Sequence, residues 1–191
     1  LHEIRKYYPF DEKINRYCEP FVGAGAVLFD VLNSFDLKEV YISDINKEAI
    51  NSYKVIRDDV ENLIELLEEF QNEYKDLTHE ERKVIYYKNR EEFNRLKVLK
   101  NSDSLKRAAL FIFLNKTGFN GLYRENMRGL FNVPIGSYKN PKILDEDNLL
   151  NVNKKLQNVE IIHGDYKKSS DFIDNNTCLL YTSLMARGRR V

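Results

Sequence analysis

The sequence is poor in cysteine and has no long apolar run. Its two cysteines, Cys18 and Cys178, are far apart and have no Cys/His cluster beside them, which argues against a disulfide scaffold and against a zinc site. No apolar run approaches the length of a membrane span, and Leu1 to Arg5 lack the pattern of a secretion signal. We therefore expect a cytoplasmic protein that holds no metal and does not enter a membrane.

The chain also has no excess charge of either sign, because 30 basic residues balance 30 acidic ones. A neutral molecule does not indicate nucleic acid or a membrane surface through its overall field, so any such partner must be recognised by local charge. The 191 residues are 42% hydrophobic, which is enough for one packed domain with a small insertion. The chain begins with Leu1 instead of methionine, and we interpret it as a fragment.

Hydrophobic patterns predict alternating strands and helices. Arg16 to Pro20 and Val40 to Asp44 have the pattern of short buried strands, and Ala26 to Leu32 between them has an apolar helical face, so this region predicts a βαβ unit. Val159 to Ile162 predicts a third core strand. Four further segments predict helices: Asn46 to Leu67 with a break near Asp58, Thr78 to Arg95 opening on a capping box, Leu105 to Leu114, and Glu146 to Leu156.

The stretch EPFVGAGA, from Glu19 to Ala26, lies between the first strand and the first long helix. Glycines in such a turn let a ligand approach the backbone and the helix N-terminus, although a lone G-x-G is also typical of an ordinary turn. Asp44 follows 19 residues after Gly25, at the end of the next strand, which suits an acceptor for ribose hydroxyls. Asp165, at the end of the third strand, could accept from an adenine amine.

Glu19 separates two classes of cofactor. A carboxylate beside the turn repels a pyrophosphate but attracts a cation, and S-adenosylmethionine carries a sulfonium and an ammonium. An NAD-type enzyme is disfavoured by Glu19 and by the missing third glycine of its fingerprint.

The segment from Gly118 to Pro141 is rich in glycine, proline, aromatic and basic residues, and it predicts a β-hairpin or an ordered loop. Within and beside it, Glu125 is the single acid against five cations: Lys116, Arg124, Arg128, Lys139 and Lys142. A local basic excess favours phosphate binding, and the aromatic and amide side chains favour contacts with bases. The alternative is a basic surface hairpin without a ligand.

Five segments together resemble the Dam-type (D12 class) adenine-specific DNA methyltransferases. In chain order they are EPFVGAG, YISDIN, YYKNREEFN, FLNKTGFNGLYRENMRGLFNVPIGSYKNP and VEIIHGDY. The similarity runs from about Ile4 to about Asp174. It implies a Rossmann-like α/β methyltransferase fold with a helical target-recognition insertion, which transfers a methyl group from S-adenosylmethionine to adenine N6 in double-stranded DNA at a specific site. A restriction–modification enzyme and a post-replicative enzyme both fit this class.

The resemblance also implies site residues and domain limits. Glu19, Pro20, Phe21, Gly23 and Gly25 would line the methionine side of the cofactor, Asp44 the ribose, and Asp165 with Tyr166 the adenine. The implied DNA-binding residues are Lys116, Asn120, Tyr123, Arg124, Asn126, Arg128, Asn132, Pro134, Tyr138 and Lys139. Catalytic-domain segments are expected at 1–52 and 143–176, the DNA-recognition insertion at 53–142, and an atypical tail at 177–191. We expect a monomer. Ser137 departs from relatives that carry a basic residue there.

The family uses an Asp-Pro-Pro-Tyr element after the strand that follows Asp165, where the acid holds the amine of a flipped adenine and an aromatic ring stacks on the base. The expected place here, Thr177 to Met185, has the sequence TCLLYTSLM, which has no carboxylate. A Gly-Gly-Lys-type segment and later strands are also missing, so the chain looks cut at both ends. We assign no catalytic residue and expect an inactive or very weak chain. The alternative interpretation is a non-catalytic module that binds DNA or S-adenosylmethionine.

Overall fold

A computed structural model describes residues 1–181 of the chain. Of the atypical tail expected at 177–191, Thr177–Leu179 form a strand of the sheet. Residues 182–191, and with them Thr182 to Met185 of the segment that has no carboxylate, lie outside the described residues. The described strands are β1 (Arg16–Glu19), β2 (Glu39–Asp44), β3 (Val159–His163) and β4 (Thr177–Leu179). The described helices are α1 (His2–Arg5), α2 (Ala26–Ser34), α3 (Lys47–Asp58), α4 (Val60–Tyr74), α5 (His79–Val98), α6 (Ser104–Thr117) and α7 (Glu146–Leu156).

The four described strands form one sheet in the spatial order β3-β2-β1-β4, and all neighbouring strands are parallel. Cys18 lies opposite Tyr41, and Val40 lies opposite Val159. Apolar side chains such as Cys18 and Ile42 are fully buried, as is typical of parallel strands covered on both faces. The arrangement confirms the predicted Rossmann-like α/β class, and it places the carboxyl ends of β1, β2 and β3 at one edge of the sheet, where open α/β sheets bind ligands.

The predicted start and break signals of the long helices are confirmed. The break expected near Asp58 falls at Asp59, between α3 and α4. At the start of α5, Thr78 accepts a hydrogen bond from the Glu81 backbone N–H, and the Glu81 carboxylate accepts one from the Thr78 backbone N–H. This is the capping box, which satisfies two N–H groups that a helix start leaves without intrahelical partners.

The described chain divides into two compact units. The first comprises Leu1–Ile50 with the described part of Lys154–Val191 and contains the sheet and α2. The second is Asn51–Asn153, where α4, α5 and α6 enclose a core of fully buried side chains that includes Leu63, Tyr86, Phe93 and Phe113. The assignment of 53–142 as a DNA-recognition insertion stays a prediction.

Residues 118–141 are an ordered loop with hairpin pairing, as the sequence predicts. Two antiparallel bridges join its halves, Gly118 with Ile135 and Glu125 with Phe131. Phe131 and Val133 are buried, so the loop has its own contact with the helical core. No helix among residues 1–181 is both long and apolar enough to cross a membrane.

Candidate functional site

The glycine turn after β1 is held against the end of β2 by hydrogen bonds. The backbone N–H of Gly23 donates to one oxygen of the Asp44 carboxylate at 2.9 Å, and the Asn46 N–H donates to the other oxygen at 2.8 Å. The Val22 N–H donates to the Ser43 carbonyl at 3.1 Å. Each oxygen of Asp44 has two lone pairs, so the carboxylate keeps acceptor capacity for further hydroxyl groups.

Both glycines of the turn have left-handed backbone conformations. Gly25 has φ 74° and is the N-cap of α2, and Gly23 has φ 51°. A Cβ added at Gly23 would meet no heavy atom of the described chain within 4 Å. The glycine therefore provides both a backbone conformation that other residues rarely adopt and open space where a ligand can approach the main chain.

Glu19, the last residue of β1, is a buried carboxyl group. Its side chain is 5% exposed and accepts a hydrogen bond from the Tyr17 hydroxyl at 2.8 Å. Burial raises its pKa to about 7, although hydrogen bonds from Tyr17 and the Leu28 N–H act in the opposite direction. A cation that binds nearby would favour the ionised form, so Glu19 suits a positively charged ligand.

An aromatic pocket of about 720 Å³ lies beside the turn, and Pro20, Phe21 and Tyr166 are among the residues that line it. The rings of Phe21 and Tyr166 are 5.7 Å apart at 32°, and both are partly exposed. Asp165 begins the short 3-10 helix Tyr166–Ser169, where its carboxylate accepts from the Lys167 N–H at 3.0 Å.

All eight predicted cofactor residues lie in the first unit, and four of them form two contacting pairs. Gly23 and Asp44 are hydrogen-bonded to each other, and Phe21 is in ring contact with Tyr166. The described lining of the pocket does not include Glu19, Gly23, Gly25, Asp44 or Asp165. Among residues 1–181, no three His, Cys, Asp or Glu side chains are grouped as a metal would need.

The loop at 118–141, with Lys116 at the end of α6 just before it, exposes many of the predicted DNA-binding residues. Exposed side chains are Lys116, Asn120, Arg124, Asn126, Arg128, Pro134, Tyr138 and Lys139, whereas Tyr123 and Asn132 are half-buried. Glu125 forms an ion pair with Lys97 of α5, a partner from outside the loop. Burial is the largest influence on the Glu125 carboxyl and raises its pKa, but hydrogen bonds from Lys97 and Tyr123 more than offset it, so the pKa is lowered. The single acid of the loop is therefore ionised and paired.

Several of these residues have structural contacts that sequence reasoning did not predict. The ring of Tyr123 packs between Phe111 and Phe131, at 5.4 Å and 5.5 Å. The Asn126 side-chain oxygen accepts from the N–H groups of Arg128 and Leu130, at 2.9 Å and 3.1 Å. Asn126 thus shapes the tight turn at the tip of the loop, which presents the exposed Arg128 side chain to solvent.

A row of α5 side chains, absent from our predicted site, holds the backbone of this loop. The contacts are Arg82 to the carbonyl of Tyr138, Tyr86 and Arg90 to that of Val133, Asn94 to both polar groups of Phe131, and Lys97 to the carbonyl of Gly129. Their spacing of three or four residues places them on one helix face. In the sequence, these polar residues already recur every three or four positions, and this repeat is the signal that could have indicated the contacts.

Comparison with known proteins gives a family and relatives. The family model of the D12 class N6 adenine-specific DNA methyltransferases matches residues 1–182. The chain is 50% identical over 177 residues to the Type II methyltransferase M.MjaIII of Methanocaldococcus jannaschii, covering 91% of this chain and 61% of that protein. It is 35% identical over 158 residues to the DNA adenine methylase of Escherichia coli K12, covering 83% and 50%. The chain therefore spans about half to three-fifths of these relatives.

Proposed function

We propose that this chain is part of an enzyme that methylates adenine N6 at a specific site in double-stranded DNA, because the chain belongs to the D12 class of N6 adenine-specific DNA methyltransferases. The methyl donor proposed is S-adenosylmethionine, which supplies an electrophilic methyl group on a sulfonium. The further proposals, that the enzyme acts as a monomer and in the cytoplasm, follow the sequence expectation. The free thiols of Cys18 and Cys178 suit a reducing compartment such as the cytoplasm.

The observation that carries the cofactor proposal is the Asp44 carboxylate held at the turn of Gly23. Its remaining lone pairs suit ribose hydroxyls, and the open space at Gly23 allows the cofactor to lie against the main chain. Phe21 and Tyr166 offer aromatic faces for a flat ring. Glu19 is a buried acid near this turn, and a bound cation would favour its ionised form although burial raises its pKa to about 7.

The DNA proposal is supported by the charge of the loop at 118–141 and its flank, and by the hydrogen bonds that hold the loop to α5. Lys116, Arg128 and Lys139 are exposed, and the one acid of the loop is paired with Lys97. Exposed cations on an ordered loop suit phosphate contacts, which supply affinity. Arg124 and Asn120 are exposed side chains that can make paired hydrogen bonds to base edges, which supply specificity.

We further infer that the 191-residue chain alone transfers methyl groups weakly or not at all. β4 ends at Leu179 and is followed by Leu180 and Tyr181, so the described residues after β4 include no carboxylate to hold the target amine. This feature favours a second candidate function, a non-catalytic module that binds S-adenosylmethionine or DNA. The enzyme requires that the complete gene product contain a carboxylate that holds the target amine, whereas the non-catalytic module does not.

The test combines binding and turnover. We expect calorimetry to show that the chain binds S-adenosylmethionine and not NAD. We also expect the full-length product of the gene to form N6-methyladenine in duplex DNA, detected by mass spectrometry of digested nucleosides, while the 191-residue chain does not. Preference for NAD, or a full-length protein that leaves adenine unmodified, contradicts the enzyme proposal; methylation by the chain alone contradicts the inactivity.

A further inference from the structure

We propose that Asn94 of α5 is a positioning residue for DNA recognition, which orients the Arg124 guanidinium through Phe131 and Asn132. This inference rests on the proposed function, because it assigns Asn94 a role in reading the DNA that the loop binds. Asn94 itself need not touch DNA.

The first link joins Asn94 to the backbone of Phe131. The Asn94 amide nitrogen donates to the Phe131 carbonyl at 3.0 Å, and the Phe131 N–H donates to the Asn94 amide oxygen at 2.8 Å. Both polar groups of one loop residue are thus paired with both ends of one side-chain amide. This double pairing resembles a step of a β-ladder and fixes the direction of the loop backbone at Phe131.

The second link is the burial of the Phe131 side chain. Phe131 is 2% exposed, and its ring meets the Phe93 ring edge-on at 5.9 Å. Phe93 lies one residue before Asn94 on α5, so the same helical turn holds both the ring and the main chain of Phe131. The backbone of the next residue, Asn132, is therefore held in place by its bond to Phe131.

The third link joins Asn132 to Arg124 across the hairpin. The Arg124 Nε–H donates to the Asn132 side-chain oxygen at 2.8 Å, and the Asn132 N–H donates to the Arg124 carbonyl at 3.1 Å. One terminal Nη also donates to the Asn132 carbonyl at 3.4 Å, so Asn132 holds one edge of an exposed guanidinium. The terminal Nη groups keep donors for a base edge or phosphate, and their direction is set before DNA arrives.

A purely stabilising role for Asn94 is the competing explanation, and a double-mutant cycle separates the two. If Asn94 acts on recognition through Arg124, then Asn94→Ala should have little further effect once Arg124 is Ala. If Asn94 only stabilises the second unit, its effect on DNA binding should be the same in both backgrounds. Val84→Ala is the matched control, because Val84 is a neutral side chain of α5 that is 70% exposed.

The probe is a pool of short DNA duplexes with a randomised centre, selected on the full 191-residue chain and sequenced. We expect the native chain and Val84→Ala to enrich one motif, and Asn94→Ala to lose about tenfold in discrimination for that motif over the pool. Affinity for the unselected pool should change little, because exposed Lys and Arg still contact phosphates. In the Arg124→Ala background, Asn94→Ala should leave discrimination unchanged.

A second measurement follows the first link without DNA. In Asn94→Ala, hydrogen exchange of the Phe131 amide should accelerate about tenfold relative to Val84→Ala, since one protecting hydrogen bond is lost. Unchanged discrimination in Asn94→Ala, or equal losses with and without Arg124, overturns the positioning role. Failure of the native chain to enrich any motif is a different result, which counts against the proposed DNA function itself.

Discussion

The backbone N–H of Gly23 donates a hydrogen bond of 2.9 Å to the carboxylate of Asp44, so the turn after β1 and the end of β2 hold each other in place. Gly23 has φ 51°, and the position that its Cβ would occupy is open among the described residues. Backbone geometry and ligand space thus coincide at one glycine.

Gly23→Ala should separate folding from cofactor binding. We expect a loss of about 1 kcal/mol in the free energy of unfolding from the left-handed backbone. We also expect S-adenosylmethionine affinity to fall about tenfold or more, because the methyl group fills the space of the ligand. Calorimetry and urea denaturation measure the two effects. Gly121→Ala is the control, since Gly121 has φ 59° and lies in the second unit. Equal cofactor affinity in both variants contradicts the assignment.

Glu19→Gln should change how stability depends on pH. The folded pKa of Glu19 is raised from 4.5 to about 7, so the folded state holds the proton more tightly and the associated stability is lost as pH rises through that window. Glutamine cannot ionise, so the variant should gain about 2 kcal/mol in free energy of unfolding relative to the native chain between pH 5 and pH 8. Urea denaturation at the two pH values measures the difference. If the free energy of unfolding changes with pH equally in the two proteins, Glu19 is not a buried acid that stays neutral.

The same group should couple proton release to cofactor binding. A bound cation favours ionised Glu19, so affinity for S-adenosylmethionine should rise as pH increases from 5.5 towards about 7. Affinity for methylthioadenosine, which carries no positive charge, should vary less, and Glu19→Gln should flatten the dependence. Calorimetry in buffers of different ionisation enthalpy counts the released proton, and the absence of any proton release counts against a cation beside Glu19.

Arg128→Ala should weaken DNA binding without changing its sequence preference. Arg128 is exposed at the tip turn that Asn126 shapes, where a cation can reach phosphate. We expect the slope of log affinity against log salt to fall in magnitude by about 1 for every duplex tested. Fluorescence anisotropy over a salt series measures the slope. Lys83→Ala, which removes an exposed cation of α5, is the control and should leave the slope unchanged.

Features that depend on residues close together in the chain could be predicted from the sequence. The capping box of Thr78 and Glu81 needs two side chains three residues apart, so its letters alone indicate the helix start. The strand before Gly23 and the strand ending at Asp44 follow in the same way from short apolar runs. The end of α6 was harder to predict, because Lys116 and Thr117 continue the helix beyond the apolar pattern that predicted it.

The contacts that shape the loop could not be predicted from local patterns. Lys97 and Glu125 are 28 residues apart, and Asn94 and Phe131 are 37 apart, so only the packing of α5 against the loop brings them together. The Tyr123 ring, which the sequence predicts as a surface for bases, packs against Phe111 of α6 and against Phe131, contacts that local patterns also do not indicate.

By itself, the sequence determined the order of β1 to β3 and of α2 to α7, the glycine turn with its acids, the basic loop and the family, because each of these depends on residues close together in the chain. It did not predict α1 or β4. Only the tertiary structure decided which carboxyl is buried, as at Glu19, and which side chains hold the recognition loop, as at Asn94. Burial and long-range hydrogen bonds depend on which elements pack together, and that is a property of the folded chain as a whole.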